Sequence, residues 1–169
     1  MQAFGIAGRS GAGKTSLIER LIPVLKGRGL SVSVIKHAHH DFDIDKPGKD
    51  SWRHRMAGAG EVLLACNARW ALMHELRGAP EPDLSDLLAR LAPCDLVLVE
   101  GFKAEPIPKL EVYRPATGLA PLYPERRDIL ALASDAPLAI DLPCLPLDDA
   151  VAIVDFIMTC LALKEKRPC

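Results

Sequence analysis

A glycine-rich segment near the N-terminus has the residue types and spacing of a phosphate-binding loop. It fits the pattern G-x-x-x-x-G-K-[ST] at every fixed position and consists of Gly8, Arg9, Ser10, Gly11, Ala12, Gly13, Lys14 and Thr15. Glycines let the backbone turn tightly and point its N–H groups at phosphate oxygens. Lys14 can reach the β- and γ-phosphates of a nucleoside triphosphate, and the Thr15 hydroxyl can ligate Mg²⁺. The segment therefore predicts a site for a triphosphate and a magnesium ion.

The sequence on both sides of this loop has the form that the motif requires. Residues 3–7 are a short apolar run suited to a buried strand, and residues 15–28 carry leucine and isoleucine at helical spacing. A helix that starts at the loop adds the positive end of its dipole to the site, so Ser16 joins the candidate nucleotide-binding residues. An incidental glycine turn is the alternative, and the strand–loop–helix context argues against it.

An acidic residue at the end of a later strand is the second candidate for the chemistry. Residues 95–100 are almost continuously apolar between Asp95 and Glu100, as expected of a central parallel strand. In P-loop proteins an acid at this position lies near Mg²⁺. We expect Glu100 to contact the metal through water or to orient the attacking water, with Lys14 as its catalytic partner. Asp95 opens the strand and is expected at the far end of the sheet; a merely structural Glu100 is the open alternative.

A polar segment with three histidines and four aspartates follows the second predicted strand and runs from residue 36 to residue 51. Because it follows a strand, we expect it on the same edge of the sheet as the P-loop, where the γ-phosphate or Mg²⁺ is sensed. We favour a polar rim, with Lys36, His37 and Lys49 as candidate nucleotide-binding residues. Arg53 or Arg55 is also available for phosphates. A transition-metal cluster and a merely solvated charged loop are the open alternatives.

Asp135 is the candidate for recognising the base, because it follows a predicted strand at residues 129–133. In guanine-specific P-loop proteins, a carboxylate after a late strand accepts hydrogen bonds from N1 and N2 of the base. The neighbouring backbone N–H groups can contact O6. Ordinary turn chemistry before Pro137 is the alternative interpretation of the same Ser-Asp pair.

The order of the predicted elements indicates an α/β protein. Strands are predicted at 3–7, 31–36, 95–100, 110–113 and 129–133, helices at 15–28, 50–57, 83–92 and from 148 or 149, and a hairpin at 61–66 and 69–76. Residues 114–128 are predicted to form an irregular loop. Alternating strands and helices around a phosphate loop predict a P-loop NTPase fold with a mostly parallel central sheet and helices on both faces. We expect one nucleotide-binding domain over residues 1–169.

Composition narrows the function classes. The chain of 169 residues is 49% hydrophobic and 25% charged with a formal net charge of −1, so it lacks the overall basic field of many nucleic-acid-binding proteins. No signal pattern precedes the first strand, and the apolar stretch at 150–163 is too short to span a bilayer. Five cysteines without a C-x-x-C pair favour free thiols in a reducing compartment.

These motifs together resemble the MobB family of molybdopterin-guanine dinucleotide biosynthesis adaptor proteins. The resemblance covers essentially the whole chain, and the K-H-x-H-H segment with P-G-K-D-S is far more specific than the P-loop alone. The matching segments appear in the family order at 8–15, 35–41, 45–51, 57–59, 69–73, 98–103 and 133–135.

The resemblance implies a cytoplasmic GTP-binding protein with weak, Mg²⁺-dependent GTPase activity. It also implies a homodimer in which strands from the mid-chain hairpin extend the partner's sheet. The implied role is to assist MobA, the guanylyltransferase that joins GMP to molybdopterin, with molybdopterin itself as a further candidate ligand. No nucleic-acid or membrane partner is implied.

Two other function classes stay open at the level of sequence. A small-molecule kinase on the same fold would need an arginine-rich lid, for which Arg114, Arg126 and Arg127 are candidates. A non-catalytic module would bind nucleotide only for stability. Weak hydrolysis fits the lack of an obvious arginine finger in cis, although Arg9 is a candidate to act across a dimer.

Overall fold

The computed structural model describes residues 1–38 and 42–166, which form two compact units. The first unit contains residues 1–37 and the described residues from 87 onward, and the second contains the described residues of 38–86. The elements are β1 Gln2–Ala7, α1 Lys14–Gly27, β2 Val32–Lys36, α2 Asp50–Met56, β3 Glu61–Ala65, β4 Trp70–His74, α3 Leu84–Arg90, β5 Leu96–Glu100, β6 Lys109–Tyr113, β7 Ile129–Ser134, β8 Cys144–Pro146 and α4 Ala150–Cys160. The expected single nucleotide-binding domain stays a prediction.

The first unit is built on a six-stranded sheet in the order β2-β5-β1-β6-β7-β8. Every neighbouring pair in this sheet is parallel. The carboxyl ends of all six strands therefore meet at one edge, and the loops that leave them can converge on one ligand. The predicted α/β class and mostly parallel sheet are confirmed.

The core explains why these segments became strands and helices. All five residues of β5 are buried, which fits its central place and its continuous apolar sequence. The buried faces of α1 and α4 join β1 and β5 in one cluster that includes Leu17, Leu21, Ile153 and Ile157. A smaller cluster around Leu132 lies on the opposite face of the sheet, because side chains alternate along a strand.

Two features of the first unit differ from the sequence-based expectation. The strand β8 was not predicted, because it has only three residues and the prolines at 143 and 146 interrupt any alternation of apolar and polar side chains. It is placed by pairing with β7, where the Leu132 N–H donates to the Pro143 carbonyl at 2.9 Å. The segment 114–128 is irregular as expected, but it contains two 3₁₀ turns, Pro115–Thr117 and Tyr123–Glu125.

The second unit contains α2 and an antiparallel hairpin. Its strands β3 and β4 pair from Glu61 opposite His74 to Ala65 opposite Trp70, so the predicted hairpin is confirmed. The four cysteines of the described residues are free thiols. Across residues 1–38 and 42–166, no helix is both long and apolar enough to span a bilayer.

Candidate nucleotide-binding site

The loop after β1 has the backbone that its glycines predict. Gly8, Gly11 and Gly13 all have positive φ angles of 138°, 76° and 98°, which other residues adopt only with strain. At Gly8, a Cβ atom would lie 2.5 Å from the backbone oxygen of Val112 in the adjacent strand β6. Only glycine therefore allows the loop to start so close to β6.

The N-terminus of α1 is arranged to receive an anion. Gly13 is its N-cap, has no side chain to cap the helix, and is followed by a first turn without acidic residues. The first N–H groups of a helix lack partners within the helix, and the helix dipole makes this end positive. Both properties fit the phosphates of a nucleotide.

Lys14 lies across the loop that it belongs to. Its ammonium donates hydrogen bonds to the backbone oxygens of Gly8 at 3.1 Å and Arg9 at 2.9 Å. Burial lowers the pKa of Lys14; the negative charge of Glu100 opposes this effect, whereas Lys103 and Lys36 add to it. This position is therefore rich in positive charge, and a polyphosphate would relieve the repulsion among the lysines.

Thr15 and Glu100 meet at the carboxyl edge of the sheet. The Thr15 hydroxyl lies 3.3 and 3.2 Å from the two carboxylate oxygens of Glu100, which is largely buried. The Lys36 ammonium is 3.7 Å from the same carboxylate. A hydroxyl beside a carboxylate is an oxygen donor set that suits Mg²⁺. The two predicted metal ligands are thus brought together.

The turn after β5 fixes the edge of the site. Gly101 and Phe102 have positive φ angles of 98° and 45°, and a Cβ atom at Gly101 would lie 2.6 Å from the His37 Cβ. The His37 N–H donates to the Glu100 carbonyl at 2.8 Å, and its ring lies 4.9 Å from the Phe102 ring. These contacts join the ends of β2 and β5 and hold His37 beside Glu100.

A cavity of about 810 Å³ begins where the P-loop ends. It is large enough for a nucleoside. Its walls come from the start of α1 and from the carboxyl ends of β6, β7 and β8, with the lining residues Ser16, Arg20, Arg114, Ser134, Asp135, Ala136, Pro137, Leu138, Cys144, Leu145, Pro146, Leu147 and Asp148. The predicted base-reading residue therefore lines a cavity that also includes Ser16, the residue directly after the P-loop.

A family model described as MobB, molybdopterin guanine dinucleotide synthesis protein B, matches residues 3–135. The chain belongs to the MobB family. A molybdopterin-guanine dinucleotide biosynthesis adapter protein of Escherichia coli (strain K12) is 45% identical over 92% of this chain and 90% of its own length. An adapter protein of the same name from Haemophilus influenzae is 48% identical over 91% of this chain and 86% of its own length.

The fold comparison agrees with the MobB assignment. A crystal structure of molybdopterin-guanine biosynthesis protein B (mobB) superposes with a TM-score of 0.73 at 28% sequence identity. The superposition covers 94% of this chain and 99% of that one. The match to the MobB family model extends from Ala3 to Asp135. It therefore includes every residue predicted for the site, whereas β8 and α4 lie beyond it.

Most of the residues predicted for the MobB-family site lie at one edge of the first unit. These are residues 8–16 with Lys36, His37, Glu100 and Asp135. Asp95 lies at the opposite edge as expected, where it accepts hydrogen bonds from the backbone and hydroxyl of Ser31. The catalytic, metal-binding and nucleotide-binding roles themselves stay predictions.

The structure tests only some of the predictions made for the polar segment 36–51. Lys49 belongs to the second unit, where it is the extended N-cap residue of α2, and its phosphate contact stays a prediction. Arg55 in the same unit pairs with Asp43 and Asp45, each at 2.8 Å.

The hypothesis of a histidine metal cluster depends on His39, His40 and Asp41, which lie outside the described residues. Within residues 1–38 and 42–166, no group of three metal-ligating side chains is found.

Sequence reasoning missed the importance of Glu111 on β6. This carboxylate is fully buried and accepts the backbone N–H groups of Leu122 at 2.7 Å and Tyr123 at 2.9 Å. Burial raises its pKa, while those hydrogen bonds and the charge of Arg9 oppose the rise. These two hydrogen bonds to Glu111 therefore hold the irregular segment 114–128 against the sheet beside the P-loop. The only sequence signal is an acid between the apolar residues of a short strand.

Proposed function

We propose that this MobB-family protein binds GTP with Mg²⁺ and serves as an adapter in molybdopterin-guanine dinucleotide biosynthesis. The observation that carries the proposal is that Lys14, Thr15 and Glu100 lie at one glycine loop, with a nucleoside-sized cavity lined from Ser16 onward. The biosynthetic role is supported by the names of the E. coli and H. influenzae relatives, which match this chain over most of their length.

The roles of the P-loop residues follow from their positions. The loop backbone and the first turn of α1 hold the phosphates, and Lys14 exchanges its two carbonyl contacts for phosphate oxygens. Thr15 and Glu100 would hold Mg²⁺, which supplies positive charge that neutralises the phosphates. Glu100 orients the water that attacks the terminal phosphate, since its carboxylate stands at the end of β5 facing the same loop.

Selectivity for guanine is assigned to Asp135. A guanine base presents two neighbouring N–H donors, at N1 and N2, that match the two oxygens of a carboxylate. Adenine presents an acceptor at N1, which would face the negative charge of Asp135. The position of Asp135 on the wall of the cavity, half-exposed and directly after β7, supports this role.

Hydrolysis by this protein alone is expected to be slow. Arg9, the arginine inside the loop, donates from Nε to the carbonyl of Ala120 at 3.2 Å, so its guanidinium is engaged with the segment 114–128. An arginine finger typically contributes about 10³–10⁵ in rate, so a P-loop without one hydrolyses slowly. We infer that a partner of the MobA guanylyltransferase type accelerates the reaction while GMP is attached to molybdopterin.

A homodimer through the hairpin is part of the proposal. Large apolar side chains of β3 and β4 are exposed, among them Leu63 at 60%, Trp70 at 68% and Leu72 at 43%. A two-stranded hairpin with such side chains is suited to pair with a strand of a second copy of the chain, because edge strands leave N–H and C=O groups unsatisfied. A cytoplasmic location and direct contact with molybdopterin are proposed on the resemblance to the family.

One of the three arginines that would form a kinase lid is engaged elsewhere in the structure, which weakens the kinase alternative. Arg126 donates two hydrogen bonds to Asp128, at 3.0 and 2.8 Å, and this carboxylate also pairs with the buried Lys109. A residue engaged in such a structural pair is poorly suited to close over a substrate.

The deciding experiment is calorimetric titration of the purified protein with GTP and with ATP, each with and without Mg²⁺. We expect Mg²⁺-dependent binding with GTP preferred, and a loss of about 10- to 100-fold in Lys14→Ala, since a charge-assisted hydrogen bond contributes about 1.5–3 kcal/mol. Lys164→Ala, near the end of the described chain, is the matched control. Equal affinity of Lys14→Ala and wild type for GTP would refute the P-loop assignment, and transfer of phosphate to an added acceptor would favour a kinase.

A further inference from the structure

Arg114 is the first residue after β6, and the strand order gives it a special position. The strand β6 lies between β1, which leads into the P-loop, and β7, which leads into Asp135. All three strands are parallel, so their carboxyl ends are neighbours. Arg114 is therefore placed between the phosphate-binding loop and the predicted base-reading carboxylate.

The side chain of Arg114 approaches both of these groups. Its Nε atom is 3.7 Å from a carboxylate oxygen of Asp135, and its Nη2 atom would lie 3.5 Å from a Cβ atom built on Gly13. Arg114 also lines the cavity beside Ser16, where the P-loop ends and the cavity begins. The α-phosphate joins the phosphates to the nucleoside, so a nucleotide held by both sites must place it at this junction.

The Arg114–Asp135 pair is loose enough to be exchanged. The 3.7 Å separation is longer than a charged hydrogen bond, and both side chains are more than 40% exposed. The backbone is by contrast fixed, because the Arg114 carbonyl accepts hydrogen bonds from the hydroxyl and the N–H group of Thr117 at 2.8 and 3.1 Å. The guanidinium can thus change partners without movement of the main chain.

We propose that Arg114 couples phosphate binding to base recognition, by pairing with Asp135 until a nucleotide binds and then with the α-phosphate. This inference rests on the proposed function of the same site. A guanidinium on Asp135 competes with the N1–H and N2–H groups of guanine for the carboxylate. A phosphate offers the guanidinium a doubly hydrogen-bonded acceptor, so its arrival releases Asp135 for the base. Arg114 is in this sense a specificity-determining residue.

The proposal predicts opposite effects of one substitution on two ligands. In Arg114→Ala, the affinity for GTP should fall about 10- to 100-fold, because a charge-assisted hydrogen bond to phosphate is lost. The affinity for guanosine, which has no phosphate, should rise by up to about fivefold, because an exposed ion pair no longer competes for Asp135. An unchanged guanosine affinity would show that Arg114 does not compete with the base and would overturn the coupling. Arg114→Lys keeps the charge without the planar fork and should lie between wild type and Arg114→Ala for GTP.

The test is calorimetry of wild type, Arg114→Ala and Arg114→Lys with GTP, GDP and guanosine in Mg²⁺ buffer. Arg90→Ala, an exposed arginine in the last turn of α3, is the matched control and should leave all three affinities unchanged. Thermal unfolding of each variant identifies any loss of fold, and Arg114→Lys keeps the test decisive if the alanine variant is unstable. Opposite effects on GTP and guanosine support the coupling.

Two further results would overturn this inference while leaving the proposed function intact. Wild-type protein that prefers GTP, together with an unchanged GTP affinity in Arg114→Ala and Arg114→Lys, would show that Arg114 does not touch the nucleotide. A parallel loss of GTP and guanosine affinity in a folded variant would show a structural role only. Wild-type protein that binds neither GTP nor ATP would instead overturn the proposed function, and the inference with it.

Discussion

Replacing Glu100 with glutamine separates the chemistry of this residue from its packing. The two side chains have nearly the same shape, so the variant removes charge from a largely buried position without creating a cavity. The glutamine still has one oxygen that can accept a hydrogen bond from the Thr15 hydroxyl, now 3.2 and 3.3 Å from the carboxylate. The Lys36 contact at 3.7 Å loses its ionic character. The Glu100→Gln variant therefore isolates the effect of the negative charge from that of side-chain shape.

The structure allows the size of each effect to be worked out. The side chain of Lys36 is 58% exposed, so its ion pair with Glu100 is worth about 1 kcal/mol at most. The amide oxygen of glutamine can still contact Mg²⁺ or a metal-bound water, so the GTP affinity measured with Mg²⁺ should fall by no more than about tenfold. Positioning of the attacking water by a general base contributes about 10²–10⁴ in rate. Hydrolysis in Glu100→Gln should therefore fall by about 100-fold or more, while binding is affected far less.

The assay for Glu100→Gln measures phosphate release under single-turnover conditions beside calorimetric GTP binding. Glu19→Gln, an exposed acid on α1 outside the site, is the matched control and should behave as wild type in both measurements. Loss of binding and hydrolysis by the same factor would refute the catalytic role of Glu100 and show that it only supports the loop. Unchanged hydrolysis would remove it from the mechanism altogether.

Three further substitutions test other parts of the structure. Asp135→Asn should erode the preference for GTP over ATP, because an amide places a donor where a guanine donor points; selectivity that survives in a competition titration would place base recognition elsewhere. Asp128→Asn should cost about 3–5 kcal/mol in urea unfolding, because Lys109, only 2% exposed, loses its anionic partner, and adding Lys109→Met should recover much of it. Burial alone would raise the pKa of Asp128, but hydrogen bonds from its cationic neighbours lower it to about 2. Because its folded pKa is depressed, this stability is present above the unfolded value of about 3.9 and is lost as the pH falls towards 2. Unfolding curves across that range should therefore show a steeper loss of stability in wild type than in Asp128→Asn. Gly101→Ala should cost about 1–3 kcal/mol at its positive φ, with the His37 contact adding to the strain, and a neutral effect on thermal unfolding would refute the tight turn.

Local sequence was sufficient to identify the loop that we propose to bind phosphate. The glycines, Lys14 and Thr15 all lie within the eight residues from 8 to 15, so their geometry depends on a short stretch of backbone rather than on the whole fold. Glu100 was also found from sequence, because an apolar strand that ends in an acid has a recognisable pattern. Its contact with Thr15 follows from the parallel pairing of β1 with β5.

The cavity that we propose to hold the nucleoside could not be predicted in full. Arg114 gains its position from the insertion of β6 between β1 and β7, a strand order that no local pattern shows. The cavity wall formed by β8 was missed because a strand of three residues between prolines has no usable alternation. Glu111 is buried by tertiary contacts that its sequence neighbours do not reveal.

A crystal structure of the protein with a non-hydrolysable GTP analogue and Mg²⁺ tests the central claim most directly. We expect the β- and γ-phosphates within the glycine loop against Lys14, the metal bound by Thr15 beside Glu100, and the base in the cavity with its N1 and N2 atoms at Asp135. Density for the analogue elsewhere, with Lys14 still bonded to the carbonyls of its own loop, would contradict the account.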